Sequence, residues 1–195
     1  MNQSKKLTAA ALTLTLCLLT GCGAASSAPA SSAASSAAAS SAASASSVAS
    51  SVASASETSG VIRATIPEGF TASTMDGCDE YYADADGNSI NLVTTDADTS
   101  VSSVTEDQLI SAYQTAFDKQ YGEGVTVVSP VSFTGESLMG HPGYAITFSI
   151  AVNGTTLTES QYAVVTDKSY IWTFTAVTDA YATEFASAES YLYEE

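Results

Sequence analysis

Three side chains with oxygen donors stand at alternate positions in one short stretch: Asp84, Asp86 and Asn88. Calcium-binding loops use a similar spacing, because a hard cation needs several oxygen ligands at once. An EF-hand loop also needs Gly at its sixth position and Glu at its twelfth, whereas here Gly87 is fourth and Thr95 is twelfth. The stretch therefore predicts a polar hairpin turn, with a weak divalent-cation (calcium) site as the alternative.

His141 and Cys78 are the other residues that could do chemistry. His141 is the one histidine of the chain, and its Gly-His-Pro-Gly surroundings predict an exposed turn. A catalytic triad would need this histidine beside a nucleophile and an acid, and no Gly-x-Ser-x-Gly motif supplies the nucleophile. Cys78 lies among acidic residues that disfavour its thiolate, so we expect a buried, inert thiol, with an intermolecular disulfide as the alternative. No catalytic residue and no cofactor are predicted, and a hydrolytic enzyme is the least favoured function.

The N-terminus follows the pattern of an export signal. Lys5 and Lys6 precede an uncharged, mostly apolar run at residues 7–19. This run is shorter than the roughly 20 apolar residues that a membrane-spanning helix needs. It ends in Leu-Thr-Gly-Cys at residues 19–22, which resembles the lipobox of bacterial lipoproteins; the alternative is an ordinary secretory signal with a chance cysteine. The lipobox implies cleavage before Cys22 and a diacylglycerol on its thiol, which anchors the protein to the extracytoplasmic face of the cell membrane.

Composition divides the chain into three segments. Residues 1–21 are predicted to be the signal peptide, residues 22–60 the lipidated Cys22 with a flexible linker, and residues 61–195 one globular domain. From residue 24 to residue 56 the linker is Ala and Ser with one Pro, two Val and no charge, so it buries too little apolar surface to offset the entropy of ordering. The roughly 135 residues of the domain suffice for one hydrophobic core.

Charge limits the partners of this domain. Removal of the signal leaves three basic residues, Arg63, Lys119 and Lys168, against 21 acidic ones. A phosphate backbone would be repelled, so nucleic acid is excluded as a partner. The acidic surface keeps an exported domain soluble and also favours basic partners or divalent cations. We expect the membrane, through the lipid on Cys22, and an envelope protein as partners, and the sequence leaves the oligomeric state open.

The residues around the acidic turn predict a β-hairpin followed by a helix. Strands are predicted at residues 81–83 and 89–95, on either side of the turn. Thr105 and Gln108 match a capping box at the start of a helix. An apolar residue then recurs every four positions until Gly122 ends the pattern: Leu109, Tyr113, Phe117 and Tyr121.

The second half of the domain predicts antiparallel strands and a closing helix. Asn153-Gly154 is the strongest short hairpin signal in the chain. Trp172 is expected in the core, with an exposed aromatic platform for a partner or a glycan as the alternative. Strands are predicted at residues 125–133, 144–152, 155–165 and 170–177, and a helix from Asp179 with Tyr181, Phe185, Ala188 and Leu192 on its apolar face. The fold class is therefore α+β, a mostly antiparallel sheet covered by helices.

Four motifs carry a family resemblance: Ile-Pro-Glu-Gly-Phe at residues 66–70, Gly-Asn-Ser-Ile-Asn-Leu at 87–92, Gly-His-Pro-Gly-Tyr at 140–144, and the strand at 168–175 before the closing helix. Together they resemble the PsbP/Mog type of domain, an α/β/α sandwich on an antiparallel sheet. The family has no shared active site, so the resemblance implies a binding or assembly role and transfers no catalytic residue. The sequence thus predicts a non-enzymatic binding or accessory lipoprotein at the cell envelope.

Overall fold

A computed structural model of the chain describes residues 60–152 and 154–195. Within these residues the chain forms strands, two α-helices and two 3-10 helices. In chain order they are β1 (Ile62–Ala64), β2 (Thr71–Ser73), β3 (Glu80–Ala83), β4 (Ser89–Asp96), a 3-10 helix (Thr99–Ser103), α1 (Glu106–Tyr121), β5 (Thr126–Thr134), β6 (Ser137–Leu138), β7 (His141–Val152), β8 (Thr155–Val165), β9 (Lys168–Ala176), α2 (Asp179–Phe185), a second 3-10 helix (Ala188–Tyr191) and β10 (Leu192–Glu194).

One antiparallel sheet dominates the domain. Its strands lie in the order β2-β3-β4-β9-β8-β7-β5, and β6 pairs with the start of β7. β7 and β8 pair from Gly143–Val164 to Val152–Thr155, so only two residues join them. Gly154 has φ +82°, a conformation that glycine adopts without strain and that a two-residue hairpin requires. The predicted hairpin between these two strands is confirmed by this pairing and by Gly154, whereas Asn153 itself lies outside the described residues.

Helix α1 covers one face of the sheet. The capping box between Thr105 and Gln108 is present with both of its hydrogen bonds, and Gly122 ends the helix as predicted. The apolar side chains predicted to form one stripe do point to the sheet, since Leu109, Tyr113 and Phe117 are buried in one cluster with residues of β7 and β8. Burial of this stripe, more than helix propensity, holds the helix in place.

Helix α2 and the chain ends cover the opposite face. Phe185 of α2 packs against Phe174 of β9, with ring centres 5.3 Å apart. Trp172 is 1 % exposed in the same cluster, and its Nε1 donates to the carbonyl oxygen of Ile62 at 3.2 Å. The sheet therefore lies between two covering layers. The predicted α+β class, a mostly antiparallel sheet covered by helices, is confirmed.

The C-terminus differs from the prediction. Helix α2 ends at Phe185, and Leu192 lies in β10 rather than on a helix face. Two serine side chains bond backbone carbonyls here, Ser187 to Glu184 and Ser190 to Ser187, and such bonds compete with a regular helix. β10 then pairs with β1, which places Leu192 opposite Ala64 and joins the two ends of the domain.

Candidate functional site

A patch of buried polar side chains lies on the α1 side of the sheet, where β8, β9 and β4 run next to one another. Alternate residues of a strand point to the same face, and the strand registers align these side chains in rows. We call them the polar patch, and each is at most 4 % exposed: Glu159, Thr175 and Ser89 in one cross-strand row, and Gln161, Thr173 and Asn91 in the next.

Glu159 is the acidic member of the polar patch. It is 1 % exposed, and its Oε2 has no hydrogen-bond partner among the described residues. Burial raises the pKa of this carboxyl to about 8, because the interior disfavours the charged form. In register, Phe148 of β7 lies beside it. Glu159 is therefore a carboxyl held mostly in its neutral form at pH 7.

Two tyrosines border the patch. The Tyr144 hydroxyl donates to Oε1 of Gln161 at 2.6 Å, which fixes the orientation of that amide. The ring centre of Tyr113 is 4.3 Å from that of Phe148, and its fully buried hydroxyl has no partner within residues 60–152 and 154–195. Burial raises the pKa of both phenols, and the nearby Glu159 carboxyl raises that of Tyr113 further. Both hydroxyls thus stay protonated at neutral pH.

Other atoms of the polar patch also lack partners. Within the described part of the chain, the two side-chain amide atoms of Asn91 have no hydrogen-bond partner, and the hydroxyl of Thr175 has none either. Buried polar groups are nearly always bonded to protein or to ordered water, and an unmade bond costs about 1–3 kcal/mol. Several unmet groups on one face are therefore suited to a bound polar molecule or to water.

A second candidate, on the opposite face, is an open cleft of about 610 Å³. Residues of β5, β7 and β8 form its floor, and residues of the segment between α2 and β10 form its wall. Hydroxyl and small side chains dominate the lining, with one acid: Ser132, Thr134, Met139, Ala145, Thr147, Tyr162, Ala186, Ser187, Glu189 and Ser190. β5, which supplies Ser132 and Thr134 to the cleft, also carries two exposed apolar side chains, Val127 at 55 % and Val131 at 62 % exposed.

The acidic turn predicted as a hairpin connection joins β3 to β4. Asp84 Oδ1 accepts the backbone N–H groups of Asp86 and Asn88, each at 2.9 Å, and its Oδ2 accepts the Asn88 side-chain amide at 2.7 Å. Asn88 Oδ1 in turn accepts the backbone N–H of Val177 at 2.8 Å. Through these bonds Asp84 and Asn88 stabilise the turn and its contact with the end of β9. No cluster of three or more His, Cys, Asp or Glu residues that could hold a metal ion occurs in the described ranges. The calcium alternative stays a prediction.

His141 and Cys78 do not lie where the sequence predicted. His141 is buried, 8 % exposed, as the first residue of β7, and its Nε2 lies 3.1 Å from Oε2 of Glu194. The expectation of an exposed turn was wrong because the tight turn lies one residue earlier and β6 pairs directly with His141. Cys78 is half-buried rather than buried, in the short loop before β3.

The lipidation site, Cys22, and the predicted signal and linker segments up to residue 59 lie outside the described residues. No helix in the part that is described is both long and apolar enough to cross a membrane.

The polar patch was missed at the level of sequence. Its one signal is that Glu159 and Gln161 interrupt a strand whose other residues on that face, Ala163 and Val165, are apolar. A surface strand shows the same alternation, so only the placement of α1 over β7 reveals that this side of β8 is buried.

Comparisons with known proteins show a similarity of fold to solved structures. No protein-family model matches the chain, and no curated protein matches it. Among solved structures, the chain is similar to the solution structure of cyanobacterial PsbP (CyanoP) from Synechocystis sp. PCC 6803, with a TM-score of 0.47 and 13 % sequence identity. The match covers 69 % of this chain and 86 % of that chain.

Proposed function

We propose that this chain is an extracytoplasmic lipoprotein that binds an envelope protein through its open cleft, as an accessory module without catalytic activity. The membrane anchor is the lipid on Cys22, which the basic start, the short apolar run and the lipobox support. The Ala/Ser linker lets the domain reach partners away from the membrane surface.

The observation that carries the proposal is the cleft beside β5. It is large enough for several side chains of a partner, and Glu189 gives it negative charge in a domain that already has a large acidic excess. The exposed Val127 and Val131 add apolar area on β5, the strand that supplies Ser132 and Thr134 to the cleft. A partner segment with basic and apolar residues fits this combination, since charge complementarity steers the encounter and apolar contacts hold the complex.

Site-specific crosslinking in the native membrane tests the cleft directly. A photoreactive amino acid is placed at Ser187 in the cleft wall and, as the matched control, at Asp107, an exposed residue of α1 on the other side of the sheet. A Cys22→Ala variant tests the anchor in parallel. We expect a discrete crosslinked envelope protein from Ser187 only, and release of the Cys22→Ala protein from the membrane fraction.

Two results would contradict the proposal separately. Equal crosslinks from Ser187 and Asp107, or none from either in folded and anchored protein, would remove the cleft as the binding surface. Retention of the Cys22→Ala variant in the membrane fraction would remove the lipid anchor while leaving the cleft untouched.

A further inference from the structure

The wall of the open cleft presents hydrogen-bond acceptors. The Ser187 hydroxyl donates to the carbonyl oxygen of Glu184 at 3.1 Å, and the Ser190 hydroxyl donates to that of Ser187 at 3.1 Å. A hydroxyl has one hydrogen to donate, so both side-chain oxygens can only accept a further bond. Glu189 adds a carboxylate, which also only accepts. A ligand of this wall must therefore bring hydrogen-bond donors.

The carboxylate in the cleft lining has no counter-charge among the described residues. The side chains that line the cleft include no basic one. Among the described acids, ion pairs engage Glu80, Glu194 and Glu195, and none engages Glu189. An anionic ligand would meet a carboxylate and acceptor oxygens, whereas a cationic donor would meet its complement. A divalent metal ion needs several charged oxygens, and this lining has one carboxylate.

The rest of the lining suits a long side chain with an aliphatic stem. Thr147 Oγ1 on the floor lies 3.0 Å from Ser160 Oγ, so this hydroxyl is already hydrogen-bonded. Met139, Ala145 and Ala186 add apolar surface. Arginine and lysine both have methylene stems that pack on apolar surface while the charged head meets polar groups. Of the two heads, guanidinium is less strongly hydrated and holds five N–H donors in one plane, so it satisfies several acceptors at a smaller cost of desolvation.

A hydrogen bond fixes the wall of the cleft against its floor. The Tyr162 hydroxyl of β8 donates to the carbonyl oxygen of Phe185 at 3.0 Å, directly before the wall segment begins. Tyr162 is 3 % exposed and Phe185 is fully buried, so solvent does not compete for this bond. The acceptors of the wall therefore hold their positions before a ligand arrives, and binding requires little ordering of the protein.

We propose that the cleft binds an arginine side chain of the partner protein, with the Glu189 carboxylate as the counter-ion of the guanidinium and the Ser187 and Ser190 oxygens as further acceptors. The stem of the arginine packs on Met139 and Ala145. This inference rests on the proposed binding of an envelope protein through the same cleft, and it names the group of the partner that the cleft recognises.

NMR titration of the isotope-labelled full chain, purified in detergent, tests this recognition. The probes are short capped peptides that differ only in their central residue, which is arginine, lysine or citrulline between two valines. Citrulline keeps the planar shape of the arginine head but has no charge. We expect the arginine peptide to shift the amide signals of Ser187, Glu189 and Ser190. The citrulline peptide should bind about three- to tenfold more weakly, and the lysine peptide should lie between the two.

A variant and its matched control locate the charge that the arginine meets. Glu189→Gln keeps the size of the side chain but removes its charge, and Asp107→Asn removes the charge of an exposed acid of α1 on the other side of the sheet. We expect Glu189→Gln to bind the arginine peptide about three- to tenfold more weakly and the citrulline peptide as wild type does, because only the charge pair is lost. Asp107→Asn should bind all three peptides as wild type does. In the native membrane, Glu189→Gln should also lower the yield of the crosslink from Ser187.

Several results would overturn arginine recognition. They are the absence of shifts in the cleft with the arginine peptide at millimolar concentration, equal affinity for arginine and citrulline, tighter binding of the lysine peptide, and equal affinity of wild type and Glu189→Gln for arginine. The proposed partner binding is judged separately, by the crosslink from Ser187 in wild type. If that crosslink forms and its yield is unchanged in Glu189→Gln, the cleft remains the binding surface and the inference of arginine recognition alone fails.

Discussion

The side-chain carbonyl of Gln114 in α1 accepts the backbone N–H of Val128 in β5 at 2.9 Å. The amide nitrogen of the same side chain donates to the carbonyl oxygen of Thr126 at 2.8 Å. Gln114 thus makes the two bonds that another strand would make to this edge of the sheet. Further along, Pro130 has no N–H, and a bulge between Pro130 and Ser132 interrupts the register. The long, valine-rich edge is therefore protected against pairing with another chain.

Loss of the Gln114 amide should expose this edge. In a Gln114→Ala variant, the Thr126 and Val128 backbone groups lose their partner, so we expect a loss of about 1–3 kcal/mol in unfolding free energy and concentration-dependent self-association. Urea unfolding and light scattering measure the two effects. Gln120→Ala, an exposed glutamine of the same helix, is the control and should change neither. A Gln114→Ala protein that stays monomeric with wild-type stability would show that the edge does not need this side chain.

The buried carboxyl of Glu159 should make stability fall as the pH rises. Its pKa is about 8 in the folded protein against a usual value of 4.5, so the folded state holds the proton more tightly. The contribution of this group is fully present below pH 4.5 and is lost as the pH rises to about 8. A Glu159→Gln variant has no such proton to lose. We expect it to be more stable than wild type at pH 7–9, with the difference shrinking towards pH 4.5.

Urea unfolding of both proteins from pH 4.5 to 9 measures this difference. The other acidic groups titrate equally in the two proteins, so their contributions cancel when one unfolding free energy is subtracted from the other. Glu189 is an exposed acid, so Glu189→Gln is the matched control for the change in charge. Its unfolding free energy should differ from that of wild type by a nearly constant amount across this pH range. A Glu159→Gln variant that is less stable than wild type at pH 8 would mean that the carboxylate is solvated or paired.

The Asn88 side chain should contribute more to the stability of the domain than its position in a turn implies. Its side chain is fully buried and accepts the backbone N–H of Val177, so it joins the β3–β4 hairpin to the end of β9. In Asn88→Ala this donor loses its partner, and we expect a loss of about 1–3 kcal/mol in unfolding free energy. Asp86→Ala removes an exposed side chain from the same turn and should cost much less. Equal losses in thermal melts would contradict this assignment.

Calcium separates the two interpretations of the same turn. Both Asp84 carboxylate oxygens already accept bonds from within the turn, so we expect the melting temperature to stay unchanged in excess calcium. Differential scanning calorimetry with calcium and with chelator checks this. A rise in melting temperature that disappears in Asp84→Asn would instead support the divalent-cation alternative.

Local signals predicted the elements whose geometry depends on neighbours in sequence. The capping box of Thr105 and Gln108 and the hairpin signal between β7 and β8 each define an element boundary through nearby residues, and the structure has the capping box and the β7–β8 pairing. The prediction for Leu192 was wrong because its position depends on a distant strand, since β10 pairs with β1 from the other end of the domain. The prediction for His141 was wrong because the tight turn lies one residue earlier, and Glu194 of the distant β10 also contacts this histidine. Periodicity carries no information on such pairing.

The polar patch was beyond sequence reasoning for a related physical reason. Asn91, Thr175 and Glu159 come from three separate strands and meet only through the β4–β9–β8 register. Each one alone fits the exposed side of an amphipathic strand. Their burial, and hence the pKa of Glu159, depends on tertiary packing, which no single segment encodes.

Trp172 should hold the N-terminal strand on the domain. Its indole N–H donates to the Ile62 carbonyl at 3.2 Å, and β1 otherwise pairs only with the three-residue β10 among the described strands. A Trp172→Phe variant loses this bond and leaves a smaller side chain in a buried site. We expect about 1–3 kcal/mol lower stability and faster amide exchange in β1 and β10, measured by hydrogen–deuterium exchange. Tyr193→Phe, an exposed ring on β10, is the control. Faster exchange spread over the whole sheet would mean that Trp172 serves the core alone, whereas faster exchange confined to the two short strands would identify it as their anchor.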